Sequence, residues 1–182
     1  KSQNRGIEFA LLLTLPATAA LLVIAMPIVT VLFERGAFGP AETRATADAL
    51  MAYATGLPAY VFIRVLTPGF FAREDTTTPV RIAAVGIMVN IVLNLFLMEL
   101  WGHVGIALAS SLAAWVNAAA LAGGLKRRGQ LSIDDRLIER GPKIALASAG
   151  MAAGLLVMER LIAVAYAGPY VANIFGLALL IF

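Results

Sequence analysis

The sequence predicts an all-α membrane protein, a polytopic bundle of about six transmembrane helices. Of its 182 residues, 60% are hydrophobic and 14% are charged, whereas soluble domains average roughly 45–50% apolar and about 25% charged residues. Its mean hydropathy is +0.87. The apolar residues also form long runs, without the roughly ten-residue alternating segments that a transmembrane β-barrel requires. Such uninterrupted runs are typical of helices that cross a bilayer.

The same composition excludes several classes of function. The net charge is only +3, and long stretches of the chain carry no charge at all. Disordered and nucleic-acid-binding chains are not built in this way, so we expect no nucleic-acid partner. With no cysteine and one histidine, His103, the sequence offers neither a thiolate nucleophile nor a multi-histidine metal centre. It also lacks a helix-borne pair of carboxylates and a nucleophile beside a base. We therefore expect a transporter and not an enzyme.

Charged and turn residues divide the chain into six candidate spans, where a full crossing needs roughly 20 residues. They cover, in order, about Ile7–Phe33, Leu50–Phe71, Val80–Met98, Val104–Leu125, Ile144–Met158 and the run that starts near Tyr170. The chain begins at Lys1 without a methionine, and its last apolar run is short. We therefore expect an internal piece of a longer polytopic protein.

Four prolines interrupt the first two spans: Pro16, Pro27, Pro58 and Pro68. Each removes a helix hydrogen bond and permits a kink. Single prolines are common in membrane helices. Four in consecutive spans indicate bent helices, which suit a protein that opens and closes a pathway.

Spans three and four carry polar side chains within their apolar runs. Asn90 and Asn94 lie four residues apart and so share one helix face, and span four contains Ser110, Ser111 and Asn117. Two interpretations stay open: interhelical hydrogen bonds, each worth about 0.6 to 2 kcal/mol, or a cation site made of side-chain and carbonyl oxygens. Neither span contains a carboxylate, so a cation site would depend on ligands elsewhere.

Basic residues are divided unevenly between the two sides of the predicted bundle. One side carries ten Lys and Arg residues and the other carries three, so the positive-inside rule places the first side in the cytoplasm. Within it, the run Lys126–Arg128 fits either an anchor beside anionic headgroups or a specific headgroup site. The ten are Lys1, Arg5, Arg73, Arg81, Lys126, Arg127, Arg128, Arg136, Arg140 and Lys143, and the three are Arg35, Arg44 and Arg160.

Arg64 is the basic residue that falls inside a predicted span, about seven residues before its cytoplasmic end. An arginine at that depth costs roughly 2.5–3.5 kcal/mol unless it meets protein, water or a headgroup. Its side chain could extend to the cytoplasmic interface. It could also face a cavity and meet an anionic group of a substrate.

The turn after span two has a distinctive order of residues. It reads Leu66-Thr67-Pro68-Gly69-Phe70-Phe71-Ala72-Arg73-Glu74-Asp75-Thr76-Thr77-Thr78-Pro79-Val80. A proline-glycine-aromatic-aromatic run is thus followed by a small residue, Arg, a polar residue, Asp, Thr and a Thr-Pro. Together with the earlier run Leu32-Phe33-Glu34-Arg35-Gly36-Ala37-Phe38, this order closely resembles the MurJ/MviN family of lipid II flippases.

The resemblance extends over the whole chain and is weakest after about Gln130. It implies a relative of the multidrug and oligosaccharidyl-lipid exporters, with two six-helix lobes around a central cavity and two additional C-terminal helices. On that pattern, residues 1–126 would be four transmembrane helices of the C-terminal lobe. Residues 127–143 would be a cytoplasmic basic and polar loop, and residues 144–182 the two additional helices, the last one incomplete.

The resemblance also implies a function in peptidoglycan biosynthesis. Such a protein carries lipid II, an undecaprenyl-pyrophosphate-linked disaccharide-peptide, from the cytoplasmic to the periplasmic leaflet of the bacterial inner membrane by alternating access. Its partners would be lipid II and membrane lipids, without an organic cofactor. The alternatives are a related polysaccharide-lipid or drug exporter and a membrane-embedded lipid-processing enzyme, for which Arg73-Glu74-Asp75 comes nearest to a catalytic cluster.

The resemblance also implies a candidate ion site, because some members of this family hold a sodium ion between helices. The matching positions here would be Asn90, Asn94, the carbonyl of Ile106, and Ser110. Asn94 replaces the carboxylate of such sites with a neutral oxygen, so we expect a weak cation site or one that depends on an acidic residue elsewhere. A sodium ion and the membrane potential are the two candidate driving forces.

The turn after span two has two interpretations of its own. Asp75 and the threonines at 76–78 can accept hydrogen bonds from free N–H groups at the start of span three, which would make the turn a helix cap. Alternatively, Arg73 or Asp75 exchanges ionic partners between conformational states and acts as a gate.

Overall fold

The computed structural model describes residues 2–129 and 135–167, which form five α-helices. The all-α prediction is confirmed, since these residues contain helices and turns and no strand. The apolar stretches of α1, of α2 and α3 together, of α4 and of α5 are each long enough to cross a membrane. The helices are α1 (Ser2–Phe33), α2 (Pro40–Ala54), α3 (Leu57–Phe71), α4 (Thr77–Arg127) and α5 (Asp135–Ala167).

Helix α1 is kinked in its second half. Ile24 has φ −105° and ψ 16°, outside the helical range. Pro27 lies three residues later, where its ring clashes with the preceding turn and its missing N–H leaves one carbonyl without an intrahelical partner. The kink therefore follows from one of the prolines that predicted bent helices.

The second predicted span consists of two helices. Helix α2 already begins at Pro40, where a proline is tolerated because the first N–H groups of a helix lack intrahelical acceptors. The N–H of Gly39 donates to Glu42 Oε2 at 2.9 Å and fixes the entry to the helix. Thr55 and Gly56 keep right-handed helical backbone angles but form a turn between α2 and α3, so the segment predicted as one span contains a break in its helical hydrogen bonding.

Helix α4 folds back on itself at Gly102. This residue has φ 56° and ψ −130°, a backbone conformation that side-chain-bearing residues avoid. The two arms, residues 77–101 and 103–127, are antiparallel, because Asn90 bonds to Ser110 and Thr78 bonds to Arg128 across them. Each arm rises roughly 37 Å, enough to cross about 30 Å of hydrocarbon. The arms correspond to the third and fourth predicted spans.

Small residues allow the arms and their neighbours to pack closely. A Cβ atom on Gly105 would overlap the carbonyl oxygen of Leu97 on the opposite arm. The second arm also buries a stripe of small side chains against α2 and α3. The buried small residues of this arm are Gly105, Ala107, Ala109, Ser111, Ala113, Ala114 and Ala118.

At each end of the bundle, a polar contact links neighbouring helices. Arg140 of α5 lies 2.6 Å from Glu8 of α1, at the end that also holds the α3–α4 turn and the end of α4. At the opposite end, His103 Nε2 donates to the Ala45 carbonyl at 3.0 Å and ties the Gly102 turn to α2. The hairpin and its neighbours thus alternate direction, as the predicted spans require.

Helix α5 is longer than the fifth predicted span. It begins at Asp135, inside the segment predicted as a loop over residues 127–143, and it continues to Ala167. The loop prediction therefore overlaps a helical segment at its C-terminal side. The sixth predicted span, from Tyr170 onward, lies outside the described residues.

Candidate functional site

The four residues that the resemblance assigns to a cation lie together between the arms of α4. Asn94 Nδ2 donates to Asn90 Oδ1 at 2.9 Å, and Asn90 Nδ2 donates to Ser110 Oγ at 3.3 Å. The Ser110 hydroxyl donates to the Ile106 carbonyl at 3.1 Å. The contact between Asn90 and Ser110 joins the two arms, as an interhelical hydrogen bond would.

One oxygen of this cluster has no partner among the described residues. Asn94 Oδ1 is buried and accepts no hydrogen bond from them, and an atom in that situation calls for a water or an ion. Together with Asn90 Oδ1, Ser110 Oγ and the Ile106 carbonyl it forms a set of neutral oxygens, the donor type that hard cations take. Within residues 2–129 and 135–167, no three His, Cys, Asp or Glu residues gather as a metal site.

Two further polar residues border the same cluster. A groove of about 230 Å³ lies between α3 and the two arms, and Tyr60, Gly86 and Asn117 help to line it. The Tyr60 hydroxyl donates to the Ser110 carbonyl at 3.3 Å. Asn117 lies seven residues after Ser110 and so on the same helix face, a signal that the sequence contains. Tyr60 gives no such signal, because an aromatic residue in an apolar run is most simply a packing residue.

Asp75 holds the turn between α3 and α4. Its Oδ1 accepts the backbone N–H of Thr78 at 3.0 Å and its Oδ2 accepts the Thr78 hydroxyl at 2.7 Å. Asp75 thus satisfies a free donor at the start of α4, as a helix cap does. The N–H and hydroxyl of Thr78, together with Arg128, hold the pKa of the Asp75 carboxyl well below its ordinary value of 3.8. The carboxyl is therefore charged at neutral pH.

Arg128 is the ionic partner of Asp75, with 2.6 Å between Nη1 and Oδ2. Its Nη2 donates to Thr78 Oγ1 at 3.0 Å, and its guanidinium lies 5.3 Å from the centroid of the Phe70 ring, a cation–π distance. No individual role for Arg128 could be predicted, because its partner lies 53 residues away in the sequence. Arg73 is exposed, and no described residue bonds to its guanidinium. The structure therefore pairs Asp75 with Arg128 and leaves Arg73 apart.

Arg64 lies on the exposed side of α3 and is not brought into either cluster. It shares that side with Tyr60 and Pro68, four residues to either side, whereas Leu66 and Phe70 are buried. None of the described residues makes a hydrogen bond or ion pair with its guanidinium. Its role as a cavity cation stays a prediction.

The break between α2 and α3 is supported by side chains of other helices. Pro58 has no N–H to offer the carbonyl of Ala54, and the Thr18 hydroxyl of α1 donates to that carbonyl at 3.2 Å. Carbonyl groups left bare in a membrane cost several kcal/mol each, and here four consecutive ones have side-chain donors. The other three contacts are Ser111 Oγ to Ala52 O at 2.8 Å, Ser111 Oγ to Tyr53 O at 3.4 Å and Trp115 Nε1 to Thr55 O at 3.0 Å.

Comparison with known proteins places these features in a family. Residues 1–179 match the family model described as lipid II flippase MurJ. The probable lipid II flippase MurJ of Rhizobium meliloti (strain 1021) is 49% identical over 155 residues, which is 85% of this chain and 29% of that protein. The corresponding protein of Vibrio cholerae serotype O1 is 38% identical over 151 residues, 83% of this chain and 29% of its own length. The chain thus spans less than a third of these relatives.

A solved structure agrees with the sequence comparison. The lipid II flippase MurJ in an inward closed conformation matches with a TM-score of 0.77 and 28% identity, over 86% of this chain and 32% of that chain. The helical bundle and its membrane-spanning segments are therefore those of a multi-pass membrane protein. Because the family model covers almost the whole sequence, the chain belongs to the lipid II flippase MurJ family.

Proposed function

We propose that this chain forms the C-terminal part of a lipid II flippase, which carries the lipid-linked peptidoglycan precursor from the cytoplasmic to the periplasmic leaflet by alternating access. The observation that carries the proposal is the family match over residues 1–179. This match favours lipid II over the cargo of related polysaccharide-lipid and drug exporters. Translocation moves the lipid intact, so the protein acts as a transporter and needs no bond-breaking chemistry.

The geometry suits a protein that changes shape around a cargo. Alternating access needs helices that can change their relative tilt. The kink in α1 and the break between α2 and α3 are positions of that kind. Arg64, on the exposed side of α3, is a candidate to meet the pyrophosphate of the lipid when the rest of the flippase surrounds it.

The same proposal places the protein in the bacterial inner membrane, with the Asp75–Arg128 end in the cytoplasm. The positive-inside rule supports this orientation, since the predicted cytoplasmic side carries ten basic residues and the other side three. Cysteines introduced at Ala37 and Gly129 would then react with an impermeant thiol reagent from opposite sides of the membrane. Labelling of both positions from the periplasm would contradict the orientation.

Complementation tests the transport activity. The protein is expressed from its complete reading frame in a strain depleted of its own lipid II flippase, and lipid II in the outer leaflet is measured with an impermeant enzyme that cleaves it. We expect growth and outer-leaflet lipid II to be restored together. A protein that inserts at normal abundance but restores neither would count against lipid II as the cargo and would favour the related exporters.

A second candidate function is coupling of transport to a monovalent cation. It is supported by Asn94 Oδ1, the buried oxygen without a partner among the described residues. Asn90, Asn94, Ser110 and the Ile106 carbonyl would hold a sodium ion, which would supply a charge that draws the two arms of α4 together. Neutral oxygens attract a cation weakly, so this site would need an acidic residue from elsewhere in the protein. The membrane potential is the driving force if no ion binds.

A further inference from the structure

Two recesses adjoin at the end of the bundle that carries the Gly102 turn. The first, of about 460 Å³, is a groove between α1, α2 and α4 with a largely apolar wall that includes Leu22, Met51 and Leu108. The second, of about 500 Å³, lies over the first turns of α2 and is bordered by Arg44 and His103. Asp48 lines both of them, so its carboxylate stands where an apolar groove meets a polar recess.

The groove lies at the depth of lipid headgroups and runs inward from there. Trp101 lines its outer part and is 57% exposed, and tryptophans of membrane proteins concentrate at the membrane–water interface. Leu108 lies on the second arm, five residues beyond His103 at the turn, roughly 7 Å deeper along the helix. The groove therefore follows the direction that an acyl chain takes below its headgroup.

The polar recess presents two opposite charges that are not paired. Asp48 is partly buried and Arg44 is exposed one helical turn away, yet no hydrogen bond or ion pair joins the charged group of either side chain to a described residue. The other titratable group at this recess is His103, whose Nε2 is committed to the Ala45 carbonyl. A ligand that carries both a cation and an anion would complement this pair of charges.

We propose that the two recesses form a binding site for a zwitterionic aminophospholipid, with one acyl chain along Leu22, Met51 and Leu108, its phosphate at Arg44 and its ethanolamine arm folded back so that the ammonium meets Asp48. A phosphoethanolamine headgroup donates N–H bonds to a carboxylate, which a choline headgroup cannot do. An anionic phosphoglycerol headgroup has no cationic group for Asp48 to bind, and its negative charge is repelled by the Asp48 carboxylate. The site therefore prefers ethanolamine lipids to choline and glycerol lipids. It is separate from lipid II transport and stands independently of it.

Lipid titration of the full-length protein in detergent, followed by native mass spectrometry, tests this site. Phosphatidylethanolamine, phosphatidylcholine and phosphatidylglycerol with identical acyl chains are compared. Asp48→Asn is expected to weaken phosphatidylethanolamine binding about tenfold, because it removes a charged hydrogen-bond acceptor, and to abolish the preference for ethanolamine over choline. Leu108→Trp fills the groove and is expected to weaken the binding of all three lipids.

Glu99→Gln is the matched control, since Glu99 is an exposed acid near the same end and lines neither recess. Melting temperatures of all variants report on folding. If Asp48→Asn unfolds, Asp48→Ser gives the second measurement, with loss of the preference for ethanolamine as the expected result. Arg44→Gln is expected to weaken the binding of all three lipids, because all three carry the phosphate. Two results would overturn the proposal: wild-type protein that binds phosphatidylglycerol as tightly as phosphatidylethanolamine, or a folded Asp48→Asn or Asp48→Ser variant that keeps the ethanolamine preference.

Discussion

Arg128 and Asp75 close the base of the α4 hairpin. Their side chains meet at 2.6 Å across 53 residues of sequence, at the end opposite the Gly102 turn. Because Asp75 also caps the first turn of α4 through Thr78, the pair ties the residue that follows the second arm to the start of the first arm. The signature turn of the family is thereby fixed to a residue that lies outside the signature.

Replacing Arg128 by Gln is expected to lower the melting temperature of the detergent-solubilised protein by a few degrees. The change removes the ion pair with Asp75 and the contact with the Phe70 ring. Lys126→Gln is the control, because Lys126 belongs to the same basic run and its ammonium has no partner among the described residues. Equal effects of the two substitutions would show that only the net charge of the run matters.

The pair should also make stability depend on pH. Folding lowers the pKa of Asp75 from its ordinary value of 3.8, so the stabilisation is fully present above that value and is lost as the pH falls below it. The difference in melting temperature between the wild type and Asp75→Asn should therefore be constant near neutrality and shrink below about pH 4. A difference that persists undiminished into strongly acidic solution would contradict this linkage.

Gly105→Ala is expected to destabilise the protein by about 1–3 kcal/mol, the usual cost of forcing a group into a packed contact. A methyl group at this position overlaps the Leu97 carbonyl of the facing arm. Gly123→Ala is the matched control in the same arm, since no atom lies within 4 Å of its added methyl group. Chemical unfolding measures both, and Gly123→Ala should be neutral or slightly stabilising.

Substitutions at Asn94 separate packing from cation binding. Asn94→Asp supplies the missing carboxylate and should strengthen the sodium dependence of lipid II translocation in vesicles. Asn94→Ala, in contrast, should chiefly lower thermal stability, because it removes the hydrogen bond to Asn90. If Asn94→Ala abolishes sodium-stimulated transport and leaves the melting temperature unchanged, these positions form an ion site and the packing interpretation is wrong.

Arg64 is tested by three substitutions in the complementing protein. If its guanidinium meets an anionic part of the cargo, Arg64→Ala should impair growth of the depleted strain at unchanged protein abundance, and Arg64→Lys should restore part of it. Growth and abundance are measured together. Full complementation by Arg64→Leu would instead show that the residue only extends toward the membrane interface.

The helical class and the order of the spans could be predicted because hydropathy and loop charges are properties of consecutive residues. The break at Thr55 and Gly56 had a local signal in Pro58, although its support by Thr18 and Trp115 depends on helices distant in sequence. Arg128 was missed for the same reason, since a basic run on a membrane surface looks alike whether or not one member has a partner. The four candidate cation ligands were predicted from the resemblance. They lie close together because the two arms of the α4 hairpin pair in one particular register, which no local feature of the sequence shows.

The side-chain donors at the α2–α3 break bear on how fast this span can move. A hinge that exposed carbonyl groups without hydrogen-bond partners to lipid would lose their hydrogen bonds each time it moved. The free energy of that loss would add to the activation barrier of the motion. Here the hydroxyls of Thr18 and Ser111 and the indole of Trp115 already satisfy these acceptors. If the angle between α2 and α3 changes, these acceptors stay satisfied as long as the three side chains rotate with it, which is compatible with the microsecond-to-millisecond range of domain movements.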